Sequence, residues 1–356
     1  MTGHTGFKGS WLCLWLEKLG ANVVGYALEP PSDPNHFDLL KTDIRSVKGD
    51  VRDSGKLEGV FRSYRPELVF HLAAQALVRR SYLWPAETFE TNVMGTVNVL
   101  EACRKTGSVR AVIIITSDKC YENREQFSRY CETDPLGGYD PYSASKGCAE
   151  IVTASYRRSF FSPADFGARH NILVASARAG NVIGGGDWSE DRLLPDIVRA
   201  ASSGGKISIR NPKSVRPWQH VLEPLAGYLM LGERLIRGKT EFADAWNFGP
   251  DEGSHVEVEE VVRGAKKRWD GVEYEVRPDE TLHEAGILKL DCSKALTLLE
   301  WKNIWGFEET MDATINWYRQ YYESGAVRSR RDLDAYTSLM EENAKGVGCF
   351  RTPLTA

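Results

Sequence analysis

Tyr142 and Lys146 stand four residues apart in a YxxxK pattern at the start of a helix that we predict over 142–161. Residues at i and i+4 share one helix face, so the lysine ammonium can favour the ionised phenol and also reach a cofactor ribose. A tyrosinate available near neutral pH is a base for a hydroxyl proton. The same spacing arises by chance on many helices, where the lysine is solvated, and the chemical interpretation therefore depends on the neighbouring motifs.

A second polar cluster, Ser117-Asp118-Lys119, follows an apolar strand that we predict over 111–116. Ligands of open parallel sheets bind outside the carboxyl ends of the strands, so these three side chains are expected to face the same cofactor as Tyr142. Asp118 and Lys119 form an acid/base pair in which each charge shifts the pKa of the other. A polar turn that only ends the strand is the alternative, which the combination of motifs disfavours.

The segment 2–9 reads TGHTGFKG, with glycines at every third position ahead of an amphipathic helix. Such glycines permit a tight turn and a close approach to a pyrophosphate, which the helix N-terminus favours. Taken singly the pattern is more often an ordinary turn. Two later strand ends strengthen the dinucleotide-binding interpretation. Asp50-Val51 is placed to contact an adenine, and the small residues of 71–75 (HLAAQ) let a cofactor lie against the backbone. The predicted cofactor-binding residues are Gly3, His4, Gly6, Phe7, Lys8, Gly9, Asp50, Val51, Leu72, Ala73, Ala74, Asn92, Tyr142 and Lys146.

The carboxylate that usually binds the cofactor ribose is missing from its expected place. Ala27 stands where an aspartate is expected at the end of the second strand, and Glu29 is either its replacement or an exposed loop residue. His4 and Lys8 place two cationic or donor groups in the phosphate loop, so we expect pyrophosphate contacts to compensate for a weaker ribose grip. NAD is predicted over NADP.

Short apolar runs alternate with amphipathic stretches through the first half of the chain, which is typical of a doubly wound parallel (Rossmann-type) α/β sheet. Candidate strands are 22–28, 68–72, 111–116 and 172–177, and candidate helices are 7–19, 57–64, 86–106, 142–161, 193–201, 222–235, 256–269 and 311–322. We predict an NAD-binding domain over 1–180, rejoined by about 219–248; a smaller mixed α/β substrate lobe over 181–218 and 249–323; and a solvated helix with a loose end over 324–356.

One feature departs from this fold. The glycine loop begins at Thr2, so the first and normally central strand is absent. The hypothesis is that the start is mis-assigned or trimmed, with Met1 at the place of that strand's last apolar residue. A stop codon immediately upstream in the reading frame, or an intact mass of native enzyme that begins at Met1, would contradict it.

Composition excludes several classes of protein. The net charge of −4 produces no field that attracts nucleic acid, and no apolar run is long enough for a membrane helix. Seven scattered cysteines without a CxxC pair argue against a disulfide framework and against a metal site of the zinc-knuckle type. A soluble, cytoplasmic protein is expected.

Together these motifs resemble the extended short-chain dehydrogenase/reductases, and within them the CDP-glucose 4,6-dehydratase subgroup. The subgroup resemblance rests on 116–121 (TSDKCY), 137–150 (GGYDPYSASKGCAE), 178–188 (RAGNVIGGGDW), 216–225 (RPWQHVLEPL), 246–250 (WNFGP) and 283–295 (HEAGILKLDCSKA). It extends from Thr2 to about Tyr322. Arg79 stands where relatives acting on dTDP-sugars carry an acidic residue, and the resemblance assigns it no role.

This resemblance implies an NAD-dependent conversion of CDP-D-glucose to CDP-4-keto-6-deoxy-D-glucose, an early step toward the dideoxyhexoses of bacterial surface polysaccharide. Tyr142, assisted by Ser117 and Lys146, is implied as the base at carbon 4. Asp118 is implied as the general acid, and Lys119, at the position of a glutamate in dTDP-glucose relatives, as the base at carbon 5, directly or through water. The expected substrate-binding residues are Gln75, Asn181, Arg192, Arg216, Trp218 and His220.

The helices at 86–106 and 142–161 resemble the family's dimer-forming pair, so a homodimer or homotetramer is expected. Three alternatives stay open at this point. The first is another nucleotide-sugar 4,6-dehydratase of the same family. A nucleotide-sugar 4-epimerase shares the fold and the YxxxK pattern but has no use for the Asp118-Lys119 pair. A catalytically silent dinucleotide-binding protein is disfavoured by the presence of Tyr142 and Lys146, although the missing first strand keeps it open.

Overall fold

The computed structural model describes residues 1–124, 128–209, 211–277 and 288–345. Its strands are β1 Val24–Ala27, β2 Arg45–Lys48, β3 Leu68–His71, β4 Ala111–Ile115, β5 Leu173–Ala179, β6 Val182–Ile183, β7 Lys206–Ile209, β8 Val215–Pro217, β9 Gln219–His220, β10 Ala245–Phe248, β11 His255–Glu257 and β12 Glu273–Val276.

Helices connect these strands. They are α1 Phe7–Lys18, α2 His36–Leu40, α3 Ser54–Tyr64, α4 Val78–Leu83, α5 Pro85–Phe89, α6 Gly95–Lys105, α7 Pro141–Ser159, α8 Leu193–Ser203, α9 Leu222–Ile236, α10 Val258–Arg268, α11 Ser293–Leu298, α12 Phe307–Ser324 and α13 Ser329–Lys345. A π-helical turn, Glu90–Met94, joins α5 to α6, so the helix predicted over 86–106 is a composite of three segments. No helix of the described residues is long and apolar enough to cross a membrane.

The central sheet is parallel, as the apolar runs predict. Strands β10, β5, β4 and β3 are neighbours in that order, and β1 pairs with β2. All five residues of β4 and all seven of β5 are buried, because helices cover both faces of the sheet. The predicted doubly wound α/β fold is confirmed, and β10 adds a strand that the sequence analysis did not predict.

Thr2 occupies the position between β1 and β3 where a central strand is expected. It forms parallel bridges to Tyr26 and His71, and its backbone nitrogen donates to the carbonyl oxygen of Phe70 at 2.9 Å. The carbonyl oxygen of Met1 accepts from the backbone nitrogen of Tyr26, also at 2.9 Å. Met1 and Thr2 thus supply the pairing that joins the two parts of the sheet and place the glycine loop at its carboxyl edge.

A smaller lobe covers that edge. It is built from three strand pairs, β6 with β9, β7 with β12 and β8 with β11. Helices α8, α10 and α12 enclose a separate apolar core with them, which includes Ile197, Ile209, Val261 and Met311. Helix α9 instead packs on the central sheet, with Leu225 and Leu231 in the same core as Ile113. The boundary between the lobes therefore runs along the carboxyl ends of the parallel strands.

The prediction of a solvated C-terminal helix is wrong for α13. Leu333 and Tyr336 are fully buried in the core of the larger domain, and the Ser329 hydroxyl lies 2.7 Å from Nε2 of His36. The charged run 328–331 conceals a narrow buried stripe, the polar Ser329 followed by the apolar Leu333 and Tyr336, which is sufficient to dock the helix. The predicted tail beyond residue 345 and the first five residues of the 283–295 segment lie outside the described residues.

Candidate active site

A cleft of about 810 Å³ lies between the sheet and the smaller lobe. It gathers residues that the sequence analysis selected from widely separated motifs. The predicted site residues that line it are Gly3, Gly6, Phe7, Lys8, Gly9, Asp50, Val51, Leu72, Ala73, Ala74, Gln75, Ser117, Asp118, Lys119, Tyr142, Lys146, Asn181, Arg192, Arg216 and Trp218. This convergence at the carboxyl edge of the sheet is where an open α/β fold binds its ligands.

Tyr142 and Lys146 enter the cleft from the first two turns of α7. Asp140 caps this helix by accepting from the backbone nitrogen of Ser143 at 3.0 Å, and Pro141 occupies its first position. The ammonium of Lys146 donates to the carbonyl oxygen of Ile115 at 3.3 Å, which joins α7 to the end of β4. Because both side chains are buried, they stand in a fixed relation to the strand that carries Ser117.

Burial dominates the proton affinities of this pair. It lowers the pKa of Lys146 to about 8, against the charge of Glu150, which raises it. It also raises the pKa of Tyr142 to about 12, while a hydrogen bond with Ser117 acts in the opposite direction. The protein alone therefore holds Tyr142 as the neutral phenol at pH 7, and a positive charge brought into the cleft would favour its ionisation.

Ser117, Asp118 and Lys119 form a tight turn directly after β4. The Ser117 hydroxyl donates to Oδ1 of Asp118 at 2.8 Å and accepts from the backbone nitrogen of Lys119 at 3.2 Å. Burial raises the pKa of the Asp118 carboxyl, whereas Lys119, Ser117 and Lys8 act to lower it. Asp118 is thus a buried carboxyl suited to hold a proton, and the half-buried Lys119 beside it faces the same cleft.

The glycine loop fits a dinucleotide pyrophosphate. Gly3 has a positive φ of 73°, and a Cβ there would lie 2.6 Å from the backbone nitrogen of Ala73. A Cβ on Gly9 would lie 2.0 Å from the carbonyl oxygen of Gly3, so the loop can pack against α1 only without side chains. Gly6, the N-cap of α1, has no side chain to cover the first amides, which leaves the positive end of the helix at the cleft.

Lys8 adds a buried amine to this loop. Burial, together with the charges of Arg192 and Lys146, lowers its pKa to about 7, although the charge of Asp118 acts to raise it. Its ammonium also lies 6.0 Å from the ring centroid of Tyr228. Lys8 therefore stands between the cofactor end and the substrate end of the cleft, where an anionic ligand would stabilise its charged form.

The adenosine end contains one firmly held carboxylate. Asp50 accepts from Nη2 of Arg52 at 2.6 Å, and this hydrogen bond lowers the Asp50 pKa. Glu29, considered as a substitute for the missing ribose carboxylate, lines the cleft but pairs with Lys48 at 2.5 Å, with both side chains 69% exposed. Ala27 ends β1 without a polar group.

Two predicted histidines do not reach the cleft. His4 is buried beneath the loop with its Nε2 2.7 Å from the Ser46 hydroxyl, and burial lowers its pKa to about 4. It is therefore neutral at pH 7, so the cationic alternative of the prediction for His4, a cationic or donor group in the phosphate loop, is excluded. His220, predicted to bind substrate, is also buried, with its ring edge-on to Trp11 and Trp305.

Two predicted amide side chains are occupied within the protein. Asn92 lies behind the cleft, where its amide nitrogen donates to the Ser145 hydroxyl at 2.8 Å and its oxygen accepts from the backbone nitrogen of Gln75. Gln75 lines the cleft, but its amide is bound to Leu77 and Thr88. Both residues therefore support the loop after β3 instead of presenting free amides to a ligand.

The sequence analysis missed a buried ion pair, Glu150–Arg178, close to the turn formed by residues 117–119. Glu150 accepts from Nη2 of Arg178 at 2.8 Å and from the hydroxyls of Thr116 and Ser176. Nη1 of Arg178 donates to the Tyr121 hydroxyl at 2.7 Å. Glu150 follows Lys146 by four residues, so the helical spacing that paired Tyr142 with Lys146 also pointed to this carboxylate.

Cationic side chains line the end of the cleft formed by the smaller lobe. Nη1 of Arg192 donates to the buried carboxylate of Asp187 at 3.0 Å, and Nη1 of Arg216 to the carbonyl oxygen of Val215 at 3.1 Å. Trp218 is largely buried in the lobe's core and contributes one edge of its ring, and Asn181 follows β5. Guanidinium groups beside an aromatic wall are suited to a phosphorylated ligand.

The fold and the cleft together define a nucleotide-dependent enzyme of the dehydrogenase/reductase class with a tyrosine–lysine pair. Residues 1–314 match the family described as GDP-mannose 4,6 dehydratase, and the chain belongs to that family.

Individual relatives are consistent with this assignment. A CDP-glucose 4,6-dehydratase of Salmonella typhimurium is 48% identical over 95% of each chain. A UDP-glucose 4-epimerase of Thermus thermophilus, solved as a complex with NAD, is 25% identical, covers 89% of this chain and 97% of its own, and has a TM-score of 0.76. A dTDP-glucose 4,6-dehydratase of Bacillus anthracis, solved with NAD, shares the fold at 21% identity and a TM-score of 0.75, over 91% of this chain and 96% of its own. The resemblance drawn from the motifs is confirmed.

Proposed function

We propose that this protein converts CDP-D-glucose into CDP-4-keto-6-deoxy-D-glucose. The observation that carries the proposal is the buried Asp118 carboxyl, next to Lys119 and hydrogen-bonded to Ser117, in the cleft that also holds Tyr142. For proton transfer, oxidation of a sugar hydroxyl needs only the tyrosine as a base, whereas elimination of water needs a further acid and a further base. The nucleotide is proposed from the relative that is 48% identical.

NAD is the proposed cofactor. Gly3, Gly6 and Gly9 with the N-terminus of α1 would hold its pyrophosphate, Asp50 its adenine, and Lys146 its ribose. When bound, NAD would supply the redox chemistry, as a hydride acceptor opposite sugar carbon 4 and, once reduced, as the hydride donor for carbon 6. The loop's fit to a pyrophosphate supports this assignment, because neither Gly3 nor Gly9 has room for a Cβ.

The side chains supply the proton transfers. Tyr142 accepts the proton of the carbon 4 hydroxyl, with Ser117 as hydrogen-bond partner and the Lys146 charge favouring the phenolate. The resulting ketone acidifies carbon 5. Lys119, in its neutral form, takes the carbon 5 proton directly or through water, and Asp118 donates a proton to the departing hydroxyl of carbon 6. One water leaves, and a final proton returned to carbon 5 completes the 6-deoxy product.

Substrate binding is proposed for the smaller lobe. Arg192 and Arg216 would contact the diphosphate, and Trp218 and Asn181 the remaining parts of the nucleotide sugar. His220 is not part of this proposed site, because its buried ring packs against Trp11 and Trp305.

Incubation of the purified protein and NAD with CDP-glucose, UDP-glucose or dTDP-glucose in parallel tests the function. We expect the alkali-stable 4-keto chromophore to form fastest with CDP-glucose. A preference for dTDP-glucose would overturn the nucleotide assignment. Formation of a galactose epimer without any ketone would favour the 4-epimerase instead.

Replacement of Lys119 by methionine should separate oxidation from elimination. With the base at carbon 5 removed, we expect turnover to fall by about 10²-fold or more, because a positioned acid or base contributes that much. Oxidation at carbon 4 should persist and be visible as reduced nicotinamide absorbance in a single turnover, with loss of deuterium exchange at carbon 5. Lys105→Met, which breaks an exposed pair with Glu58 outside the cleft, is the matched control. Full turnover by Lys119→Met would remove Lys119 from the mechanism.

We further propose that the protein assembles through α4–α7 as a homodimer, or as a tetramer built from such dimers. Large apolar side chains are exposed there: Leu83 at 73%, Trp84 at 59%, Met94 at 51% and Ile151 at 57%. An exposed apolar surface of this kind is typical of an interface. Trp84→Asp should halve the mass measured by sedimentation, whereas Leu298→Asp, at an equally exposed position on α11, should leave it unchanged. An unaltered mass for Trp84→Asp would place the interface elsewhere.

A cytoplasmic location is part of the proposal. The six cysteines of the described residues are free thiols, which fits a reducing compartment.

A further inference from the structure

Arg79 was singled out in the sequence without a role, and the proposed reaction assigns it none. It lies on α4 in the larger domain, and its Nη1 is 3.1 Å from Oδ1 of Asp191. Asp191 belongs to the loop that runs from β6 to α8 in the smaller lobe. Both side chains line the cleft, so this ion pair spans it from one lobe to the other.

The loop that contains Asp191 is fastened at two points. At its start, Asp187 is almost fully buried, and its backbone nitrogen donates to the Tyr318 hydroxyl at 2.8 Å. At its end, Asp191 has a φ of 55°, a left-handed conformation that costs energy for a residue other than glycine. Such a conformation persists where surrounding contacts hold it, and the ion pair with Arg79 is a contact of that kind.

The residue held by this arrangement is Arg192. It directly follows Asp191, and its guanidinium donates to Asp187, so its backbone adjoins one fastened point of the loop and its side chain contacts the other. Without the contact to Arg79, Asp191 would be free to leave its left-handed conformation and Arg192 would move with it. The pair therefore influences where Arg192 stands relative to the cleft.

We propose that the Arg79–Asp191 pair is a latch between the two lobes, which positions Arg192 for the diphosphate of the bound nucleotide. This inference rests on the diphosphate role proposed for Arg192. Arg79 and Asp191 are positioning residues that act through Arg192 and not on the sugar. The ligand group recognised through them is the diphosphate of a nucleoside diphosphate, and the identity of the base does not matter for this contact.

The latch predicts a specific pattern of affinities for CDP. Arg192→Gln should weaken CDP binding about tenfold, since a hydrogen bond between charged groups is lost. Arg79→Gln and Asp191→Asn should each weaken it about two- to fivefold, because the pair is partly exposed. The losses caused by Arg79→Gln and Asp191→Asn should not add in the variant that carries both substitutions. Arg79→Gln should have no effect on CDP binding when Arg192→Gln is already present.

Titration calorimetry with CDP, dTDP and NAD on the full chain tests this pattern, together with kcat and KM. The latch predicts a higher KM with unchanged kcat and NAD affinity, and rescue by Arg79→Lys. Arg80→Gln is the control, since it breaks a pair with Glu87 within the larger domain. Native CDP affinity in Arg79→Gln, with weakened binding in Arg192→Gln, would overturn the latch alone. Native affinity in Arg192→Gln would overturn the diphosphate role and the latch with it, and absence of ketone from CDP-glucose in the unaltered protein would overturn the proposed function instead.

Discussion

Tyr142→Phe should lower kcat about a thousandfold while leaving the affinity for NAD and for CDP largely unchanged. The phenol oxygen is the proposed acceptor of the carbon 4 proton, and loss of a positioned base costs between about 10²- and 10⁴-fold. Its ring packs at the start of α7, which the phenylalanine preserves. Tyr156→Phe removes a hydroxyl from the same helix, where it donates to Glu101 outside the cleft, and should keep native turnover. Comparable turnover in the two variants would exclude Tyr142 as the base.

The same residue predicts the direction of the pH dependence. Burial raises the pKa of Tyr142 to about 12, so the tyrosinate fraction of the free protein grows as pH rises. The rate constant kcat/KM should therefore increase from pH 6 toward pH 8. Burial lowers the pKa of Lys146 to about 8, so above that pH the ammonium that favours the phenolate is lost and the increase should level off. A profile that falls steadily from pH 6 would contradict the assignment.

Short apolar runs and glycine spacing were sufficient to predict the parallel sheet and the cleft at its carboxyl edge. Strand β4, with five consecutive buried apolar residues, has no competing interpretation as a surface element. Ser117 was identifiable because it follows β4 at the carboxyl edge of the sheet, where chain direction alone decides what faces the ligand. Tyr142 and Lys146 were identifiable from their spacing at the start of α7.

Side chains whose direction depends on tertiary packing could not be predicted in this way. His4 and Lys8 share one loop, yet the former points beneath it toward Ser46 and the latter into the cleft. His220 follows a motif that includes Trp218, but β9 turns its ring into the aromatic core. Helix α13 was misjudged because its charges outnumber its apolar residues, although Leu333 and Tyr336 find a complementary surface on the larger domain.

The Glu150–Arg178 pair illustrates a third case, in which the sequence carried a signal that only the structure could interpret. Glutamate four residues after Lys146 reads as a solvated helical residue, and Arg178 lies in an otherwise apolar strand. In the fold, α7 crosses β5 so that the two meet with 2% and 4% side-chain exposure. They join the helix that carries Tyr142 to the strands beneath Ser117, and Tyr121 extends the network to Asn247 of β10.

Arg178→Met should therefore destabilise the protein by about 3–5 kcal/mol, the cost of leaving a buried charge without its partner. The methionine fills a similar volume, so the loss reflects the isolated Glu150 carboxylate more than a cavity. Thermal and urea midpoints measure the change, with Lys266→Met as a control that removes an exposed pair with Glu273 and should cost less than about 1 kcal/mol.

The double variant Glu150→Gln/Arg178→Met makes this prediction specific to the charge. Glutamine keeps an acceptor for Thr116 and Ser176 but carries no charge, so it should recover a substantial part of the stability lost in Arg178→Met.

The pH dependence of the protein's stability follows from the same pair. Burial would raise the pKa of Glu150, but Arg178 and the two hydroxyls outweigh it and hold the pKa below its usual value. A carboxylate with a lowered pKa stabilises the fold above its unfolded pKa, and that stability is lost as pH falls through the folded value. Arg178→Met should consequently lose less stability on acidification than the native protein, and an equal loss in both would show that the network is held by its hydrogen bonds and not by charge.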